Sequence, residues 1–462
     1  MFVGRKNELQ SIREIYKSQK FEFACIYGVR RIGKTFFLKE SIKDIGIKSL
    51  YYEFNEDTLE INLKKISEEY YKTFNEYPKT CETFEKFFEY MFQKSLKEAF
   101  VFILDEFPIL LKDSKVFQSL LKNMIDKYKE ESKMKLVISG SAFDIMNDLM
   151  SYNSPLYGRF TYALILKPLN YLESSLFYKN YSNEDKVKMF SAFGGNPFYN
   201  ALIDPKLSVE ENIIKLFFIK NFSLINNSLQ NLIYLEVGKL SNAYQILSAI
   251  NKGMANFNKI LNYSNIKYSV TLDLTVEKLI NIGLIKKNNP INDNNKKRTF
   301  YSLSDNALSF YMTYIFASDI NEEISIEDYF AHEVKDDFLS RYVPLKFEGI
   351  CKEYLLLASK NNLIENKFSR IGKYFYNDKE KKENGEFDVV TFNGETYDFY
   401  ECKFKDGIIP KNEVDKEINQ IKRVGFSIND IFFITKKGIE EGSKAKSISL
   451  DELFDEKLYK CI

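Results

Sequence analysis

The chain has 462 residues, with 66 Lys or Arg against 65 Asp or Glu, one His and five Cys. At roughly 100–200 residues per domain, this length points to two to four domains, each able to bury a core. A net charge of +1 excludes a globally basic nucleic-acid binder, so any such contact needs a local patch, and the lone His332 excludes histidine-cluster zinc sites.

The N-terminal Met-Phe-Val-Gly-Arg-Lys-Asn-Glu lacks an apolar leader, and no run of 18 apolar residues follows. Cys25, Cys81, Cys351, Cys402 and Cys461 show no CxxC spacing, which suits reduced thiols. A cytoplasmic protein with no membrane partner is therefore expected. Residues 1–166 alternate apolar runs with helical periodicity. Strands are predicted at 21–27, 49–54, 100–104, 135–139 and 162–166, and helices at 35–44, 59–74, 82–96 and 115–128. That alternation predicts a parallel sheet covered on both faces. Residues 167–225 read as helices only, a small lid. From 226 to 318, three helical segments precede Gly283-Leu284-Ile285-Lys286-Lys287, a polar loop over 288–297 and Thr299-Phe300-Tyr301-Ser302-Leu303, the outline of a winged helix. An acidic stretch at 319–328 opens a C-terminal α/β domain over 319–462.

Gly28-Val29-Arg30-Arg31-Ile32-Gly33-Lys34-Thr35 matches GxxxxGK[ST] between a predicted strand and a predicted helix. The glycines let backbone N–H groups curl around an anion at a helix N-terminus. Lys34 then reaches the β- and γ-phosphates of ATP or ADP, and the Thr35 hydroxyl is a Mg²⁺ ligand. Downstream, Phe102-Ile103-Leu104-Asp105-Glu106 is an apolar strand ending in two carboxylates. Asp105 is expected to hold the metal through water and Glu106 to activate the attacking water.

Several motifs share the order and spacing of a known family over residues 1–205: Phe2-Val3-Gly4-Arg5-Lys6-Asn7-Glu8-Leu9, the Arg30-Arg31 pair, Leu104-Asp105-Glu106-Phe107-Pro108, Gly140-Ser141, Ser154-Pro155-Leu156-Tyr157-Gly158-Arg159 and Gly194-Gly195-Asn196-Pro197. Together they resemble the prokaryotic AAA+/STAND-like P-loop ATPases often called the archaeal ATPase family. The resemblance implies that Val3, Gly4 and Arg5 line the adenine side. It makes Ser139 the polar sensor-1 residue and Pro197 part of a lid GxP motif near the base. Arg159 is then an arginine finger or sensor arginine, with a surface ion pair as the alternative. A finger acting between subunits would require a homo-oligomer.

In the C-terminal domain, Glu386-Phe387-Asp388-Val389-Val390 and Tyr400-Glu401-Cys402-Lys403 flank Asn393-Gly394, which predicts a two-residue type I′ turn. Counting outward places Asp388 opposite Phe399, with Glu401 on the diagonal and Asp388, Glu401 and Lys403 on one face. Two carboxylates can there converge on one cation, with a lysine to polarise water. The arrangement resembles the PD-(D/E)xK nuclease core, with Glu348 on the preceding helix as an extra acidic ligand. The region as a whole, with Phe347-Glu348 and Ile371-Gly372, resembles the uncharacterised domain usually fused to these ATPases.

The hairpin over 283–303 carries Lys286, Lys287, Lys296, Lys297 and Arg298, enough for phosphate contact, whereas the helix at 270–280 holds Asp273 and Glu277 against Lys278. This favours loose, backbone-directed contact with DNA or RNA. The fold class is thus α/β: a P-loop NTPase sheet with a helical lid, a winged helix and a restriction-endonuclease-like domain. The function expected is a Mg²⁺-dependent ATP-hydrolysing switch coupled to a nucleic-acid-directed nuclease-like domain, with Mg²⁺ or Mn²⁺ at the latter. Two alternatives stand beside it: a STAND-type signalling ATPase whose C-terminal domain binds without cutting, and a winged-helix DNA-binding regulator.

Overall fold

The computed structural model describes residues 2–78, 81–113, 116–219, 223–234, 242–267, 269–292, 299–316, 318, 325–378, 383–423, 427–460 and 462. They divide into two units, Met1–Pro168 with Asn281–Gly283, and Leu169–Ile280 with Leu284–Ile462. Lys296, Lys297, Arg298 and the predicted acidic residues at 319–323 lie outside the described residues.

In the first unit all five predicted strands form: β1 (Glu22–Tyr27), β2 (Lys48–Glu53), β3 (Phe100–Asp105), β4 (Lys135–Gly140) and β5 (Tyr162–Ile165). They pair in parallel in the order β2-β3-β4-β1-β5. Every residue of β3 and β4 is buried, which is why those stretches show no polar alternation. Between the strands, Thr58 and Thr83 cap the helices Leu59–Phe74 and Phe84–Ser95 by accepting the N–H groups of Ile61 and Lys86. Both helices turn aromatic stripes inward, and Phe87 and Phe88 pack on Phe102 of β3. The chain leaves β1 for the far edge, steps back through β3 and β4, then passes over β1 to β5. The carboxyl ends of β1, β3 and β4 therefore lie side by side at the switch in strand order, where parallel α/β sheets bind ligands.

The second unit begins with short helices, among them Asn183–Phe193 and Pro197–Asn200. The Gly194-Gly195 pair between these two is required by close approach. A Cβ on Gly195 would lie 1.9 Å from the Leu169 carbonyl oxygen, and one on Gly194, at φ 63°, would lie 2.6 Å from Asp305 Oδ1. Helices Ala243–Asn251, Phe257–Ser264 and Ser269–Asn281 precede an antiparallel hairpin of β6 (Ile285–Asn288) and β7 (Phe300–Leu303). Beyond the helix Asn306–Tyr314 and the long helix Val343–Lys360 comes a mixed sheet of β8 (Arg370–Asp378), β9 (Glu383–Phe392), β10 (Tyr397–Lys403), β11 (Ile428–Thr435) and β12 (Lys446–Ser449). Its order is β12-β11-β10-β9-β8, antiparallel from β8 to β10 and parallel from β10 to β12. Among the described residues, no helix is long and apolar enough to cross a membrane.

The predicted two-residue turn at Asn393-Gly394 does not form. Phe392 pairs with Tyr397, leaving a four-residue loop in which Asn393 Oδ1 accepts the N–H groups of Glu395 and Thr396. That side-chain capping holds the wider loop. The register moves by two, so Val390 faces Phe399, and the next pair along sets Asp388 opposite Glu401 instead of Phe399. An even shift leaves every side chain on its predicted face.

Asp305 caps the helix Asn306–Tyr314 by accepting the Ala307 N–H at 2.8 Å, and burial pushes its carboxyl up to about 6. A carboxyl whose folded pKa exceeds its unfolded value binds its proton more tightly when folded. The stability it adds is present at low pH and is lost as pH rises from about 4 to about 6. Asp305→Asn retains a capping oxygen and removes the charge. The variant is expected to melt with wild type at pH 4 and to exceed it by about 1–3 kcal/mol at pH 7.5. Parallel melting curves across that range would refute this.

Candidate functional site

β1 delivers the loop of residues 28–33 to the switch in strand order. A Cβ on Gly28 would lie 2.5 Å from the Leu166 carbonyl oxygen, so only glycine fits, and Gly33 adopts φ 87°. Ile32 is buried and anchors the loop, Val29 is half-buried, and Arg30 and Arg31 face outward, Arg31 at φ 64°. Arg5 braces the loop from the N-terminal segment Val3-Gly4-Arg5, donating from Nη2 to the carbonyls of Ile32 (2.9 Å) and Lys167 (3.0 Å). Lys34 opens the helix Lys34–Ser41, and its Nζ donates to the loop carbonyls of Gly28 (2.9 Å) and Val29 (3.2 Å). Burial lowers its proton affinity, and Glu106 and Asp105 oppose that effect.

Asp105, fully buried at the end of β3, is the hub. Its Oδ2 accepts from Thr35 Oγ1 (2.7 Å) and Tyr51 Oη (2.8 Å), and its Oδ1 from Ser139 Oγ and the Glu106 N–H (3.1 Å). Glu106 adopts φ 52°, and its carboxylate accepts the Ser141 Oγ (2.6 Å) and N–H (3.3 Å). Arg5, Arg31 and Glu106 are non-glycine residues in left-handed conformation, a local strain that often accompanies a binding site. The Thr35 hydroxyl and Asp105 carboxylate form an all-oxygen donor pair that suits a hard divalent cation such as Mg²⁺. Two predicted residues lie elsewhere. Arg159 Nε and Nη2 grip the Asp126 carboxylate at 3.0 and 2.8 Å, and Nη1 donates to the Pro155 and Tyr157 carbonyls. Pro197 belongs to the second unit, at the start of a helix capped by Asn196.

Sequence reasoning missed Tyr51, whose contact with Asp105 depends on the pairing of β2 with β3, set at Glu53↔Asp105. Tyr51→Phe removes one of the two donors on Oδ2. Binding of Mg·ATP is expected to weaken about fivefold, the worth of one such hydrogen bond, with ATP binding in EDTA unchanged. Isothermal calorimetry under both conditions checks this; equal losses in both would refute it.

The C-terminal prediction concerns a second cluster. Asp388 Oδ2 accepts the Cys402 N–H at 2.9 Å, next to Glu401, which is 4% exposed. Lys403 Nζ lies 3.4 Å from Glu401 and 3.2 Å from Glu417 of the helix Lys411–Lys422. Glu348 of the long helix pairs with Lys373 at 2.8 Å, and Lys373 pairs with Glu386 at 2.6 Å. Burial, then the charge of Asp388, pushes Glu401 up to about 8, and burial pushes Glu348 up to about 7 and raises Asp388. Burial alone would lower Lys403, but Glu401, Glu417 and Asp388 outweigh it and hold Lys403 above its usual range. The structure thus gathers Glu348, Asp388, Glu401 and Lys403 and adds Lys373, Glu386 and Glu417. Among the described residues, no three His, Cys, Asp or Glu form a ready metal cage. The carboxylates are interleaved with lysines, and their oxygens suit Mg²⁺ or Mn²⁺ by type.

Residues 2–202 match a family described as an ATPase domain predominantly from Archaea, and residues 311–421 match one described as archaeal and bacterial proteins of unknown function. Uncharacterized protein MJECL04 of Methanocaldococcus jannaschii is 32% identical over 413 residues, covering 88% of this chain and 88% of its own length. The uncharacterized ATP-binding protein MJ0423 of the same organism is 38% identical over 48 residues, 10% of this chain and 81% of that protein. Among solved structures, the Walker-type ATPase PABY2304 of Pyrococcus abyssi covers 67% of this chain and 96% of its own at 16% identity, with a TM-score of 0.49, a distant likeness.

Proposed function

The chain belongs to the archaeal-type P-loop ATPase family, and on that premise we propose that it is an ATP-driven switch acting on a nuclease-like C-terminal domain. The observation that carries the ATP half is the convergence of Lys34, Thr35, Asp105, Glu106 and Ser139 at the switch in strand order. In this reading the N–H groups of residues 28–33 and the Lys34 ammonium hold the phosphates, while Thr35 and Asp105 hold Mg²⁺. Magnesium, when bound, supplies charge neutralisation on the β- and γ-phosphates. Glu106 takes the proton of the attacking water, and Ser139 orients Asp105 through its hydrogen bond. Val3 and Gly4 are assigned to the base. The bidentate pair with Asp126 supports a bracing role for Arg159.

We assign residues 1–166 to the ATPase core, 167–225 to the lid, 226–318 to a winged helix and 319–462 to the nuclease-like domain. Three helices followed by the β6–β7 hairpin support the third assignment. The grouping of Asp388, Glu401 and Lys403 with Glu348 supports the fourth. There Glu348, Asp388 and Glu401 are the candidate ligands for Mg²⁺ or Mn²⁺, and Lys403 stabilises charge developing on a phosphodiester. The metal, when bound, supplies an activated water. The interleaved lysines favour a second reading, in which the domain binds a partner without cutting. Metal-dependent cleavage of DNA and RNA, with and without ATP, compared between wild type and Glu401→Ala, decides between the two.

A further inference from the structure

The turn Asn281–Gly283 groups with the first unit, although the chain on either side of it belongs to the second. It closes the helix Ser269–Asn281. Gly283 adopts φ 77°, and the Leu284 N–H donates back to the Leu279 carbonyl at 2.9 Å, a helix stop that depends on glycine. Leu284 leads into β6. Its carbonyl accepts the Ser304 N–H at 2.9 Å, and Ile285 pairs with Leu303 of β7. Leu284 and Ile285 are buried, so the turn is held firmly from its C-terminal side.

Within the first unit, this turn lies against the anion loop. A Cβ on Gly283 would stand 2.4 Å from Val29 Cγ1 and 3.9 Å from Val29 Cβ, so the glycine backbone is packed on the Val29 side chain itself. Val29 also packs against the core that holds Ile26 and Ile32. Its carbonyl accepts from Lys34 Nζ at 3.2 Å and from the Ile32 N–H at 3.4 Å. One residue therefore joins the turn, through its side chain, to the phosphate-seeking lysine, through its carbonyl. A phosphate that draws Lys34 competes with the Val29 carbonyl for the same ammonium protons, so nucleotide binding acts on Val29 directly. Valine yields only by rotating one stiff torsion, and at Gly283 there is no side chain to absorb a shift.

We propose that the turn Asn281–Gly283 is a positioning element of the nucleotide site: Gly283 seats Val29, and through Val29 it sets the anion loop and Lys34. This rests on the reading of residues 28–35 as an ATP site and adds a linkage to it. Whatever shifts the turn alters nucleotide affinity, and bound nucleotide steadies the turn in return. Gly283 itself touches no substrate.

The test is a double-mutant cycle on the full chain, read by calorimetry with ATP and with ADP. Gly283→Ala drives a methyl group into Val29 and is expected to weaken binding about tenfold, the effect of overpacking a tight contact. In a Val29→Ala background, where Cγ1 is gone, the same change is expected to weaken binding by about twofold or less. Backbone strain alone cannot give that pattern, because alanine at φ 77° is equally strained in both backgrounds. Gly253→Ala is the control. Gly253 has φ 83° with no atom within 4 Å of where its Cβ would stand, so the change is expected to lower the melting temperature and leave nucleotide affinity unaltered. Hydrogen exchange of the wild type gives the reciprocal readout: the Leu284 amide is expected to exchange more slowly once ADP is added. No loss from Gly283→Ala, equal losses in both backgrounds, or ADP binding without slower exchange at Leu284 overturns the role of the turn and leaves the ATP site standing. A wild type that binds neither nucleotide removes the ATP reading, and the role of the turn with it.

Discussion

Lys34→Ala is expected to bring ATP binding down by about 100-fold, whereas Glu106→Gln leaves binding in place and cuts turnover by about 10²–10⁴-fold. The contrast follows from where the two groups stand. Lys34 is 6% exposed and packed under residues 28 and 29 of the loop, so its loss removes a desolvated cation held directly beneath that loop. Glu106 lies beyond the end of β3, its carboxylate turned to the N–H and Oγ of Ser141. Glutamine keeps an oxygen for Ser141 but cannot take a proton from water. Calorimetry with ATP and a phosphate-release assay separate the two effects. Equal loss of binding in both variants would remove Glu106 from the catalytic step, and full binding by Lys34→Ala would remove the loop from nucleotide recognition.

How far the site was legible follows from how local each signal is. Residues 28–35 and 102–106 carry their motifs in consecutive residues, and each predicted strand around them forms, so the sheet and its carboxyl edge were readable. Tyr51 was not, because its contact with Asp105 exists only once β2 is paired with β3 in a given register. At Asn393-Gly394 the dipeptide favours a two-residue turn, but the Asn393 carboxamide capping two N–H groups won instead. The face survived because the slip was even, while the partner of Asp388 did not. Lys373 and Glu417 arrive from β8 and from the helix Lys411–Lys422, with no motif to announce them. Ile291 reads as one apolar residue in a polar loop, and only the folded chain shows it inside the C-terminal core. Contacts within a few residues were legible; those created by docking one element on another were not.

Glu401→Ala and Asp388→Ala should each abolish metal-dependent cleavage of nucleic acid, by about 10³-fold or more, if the C-terminal cluster performs metal-assisted hydrolysis. Five carboxylates stand there against two lysines, and Glu401 and Glu348 are driven toward protonation by burial and by one another's neighbours. A divalent cation resolves that crowding, which is the physical reason to expect one. Lys403→Ala separates the two readings of the cluster. In a nuclease, Lys403 stabilises charge on the scissile phosphate, and its loss should cost about 10²-fold or more in rate with nucleic-acid binding nearly intact. In a partner-binding domain, Lys403 only offsets Glu401 and Glu417, and its loss should lower the melting temperature without any catalytic signature. Cleavage that persists in Glu401→Ala would place the chemistry elsewhere. Complete absence of cleavage by wild type on single- and double-stranded DNA and RNA, under either metal with ATP present, would leave the ion-paired cluster as a binding surface and the ATPase as the only enzyme in the chain.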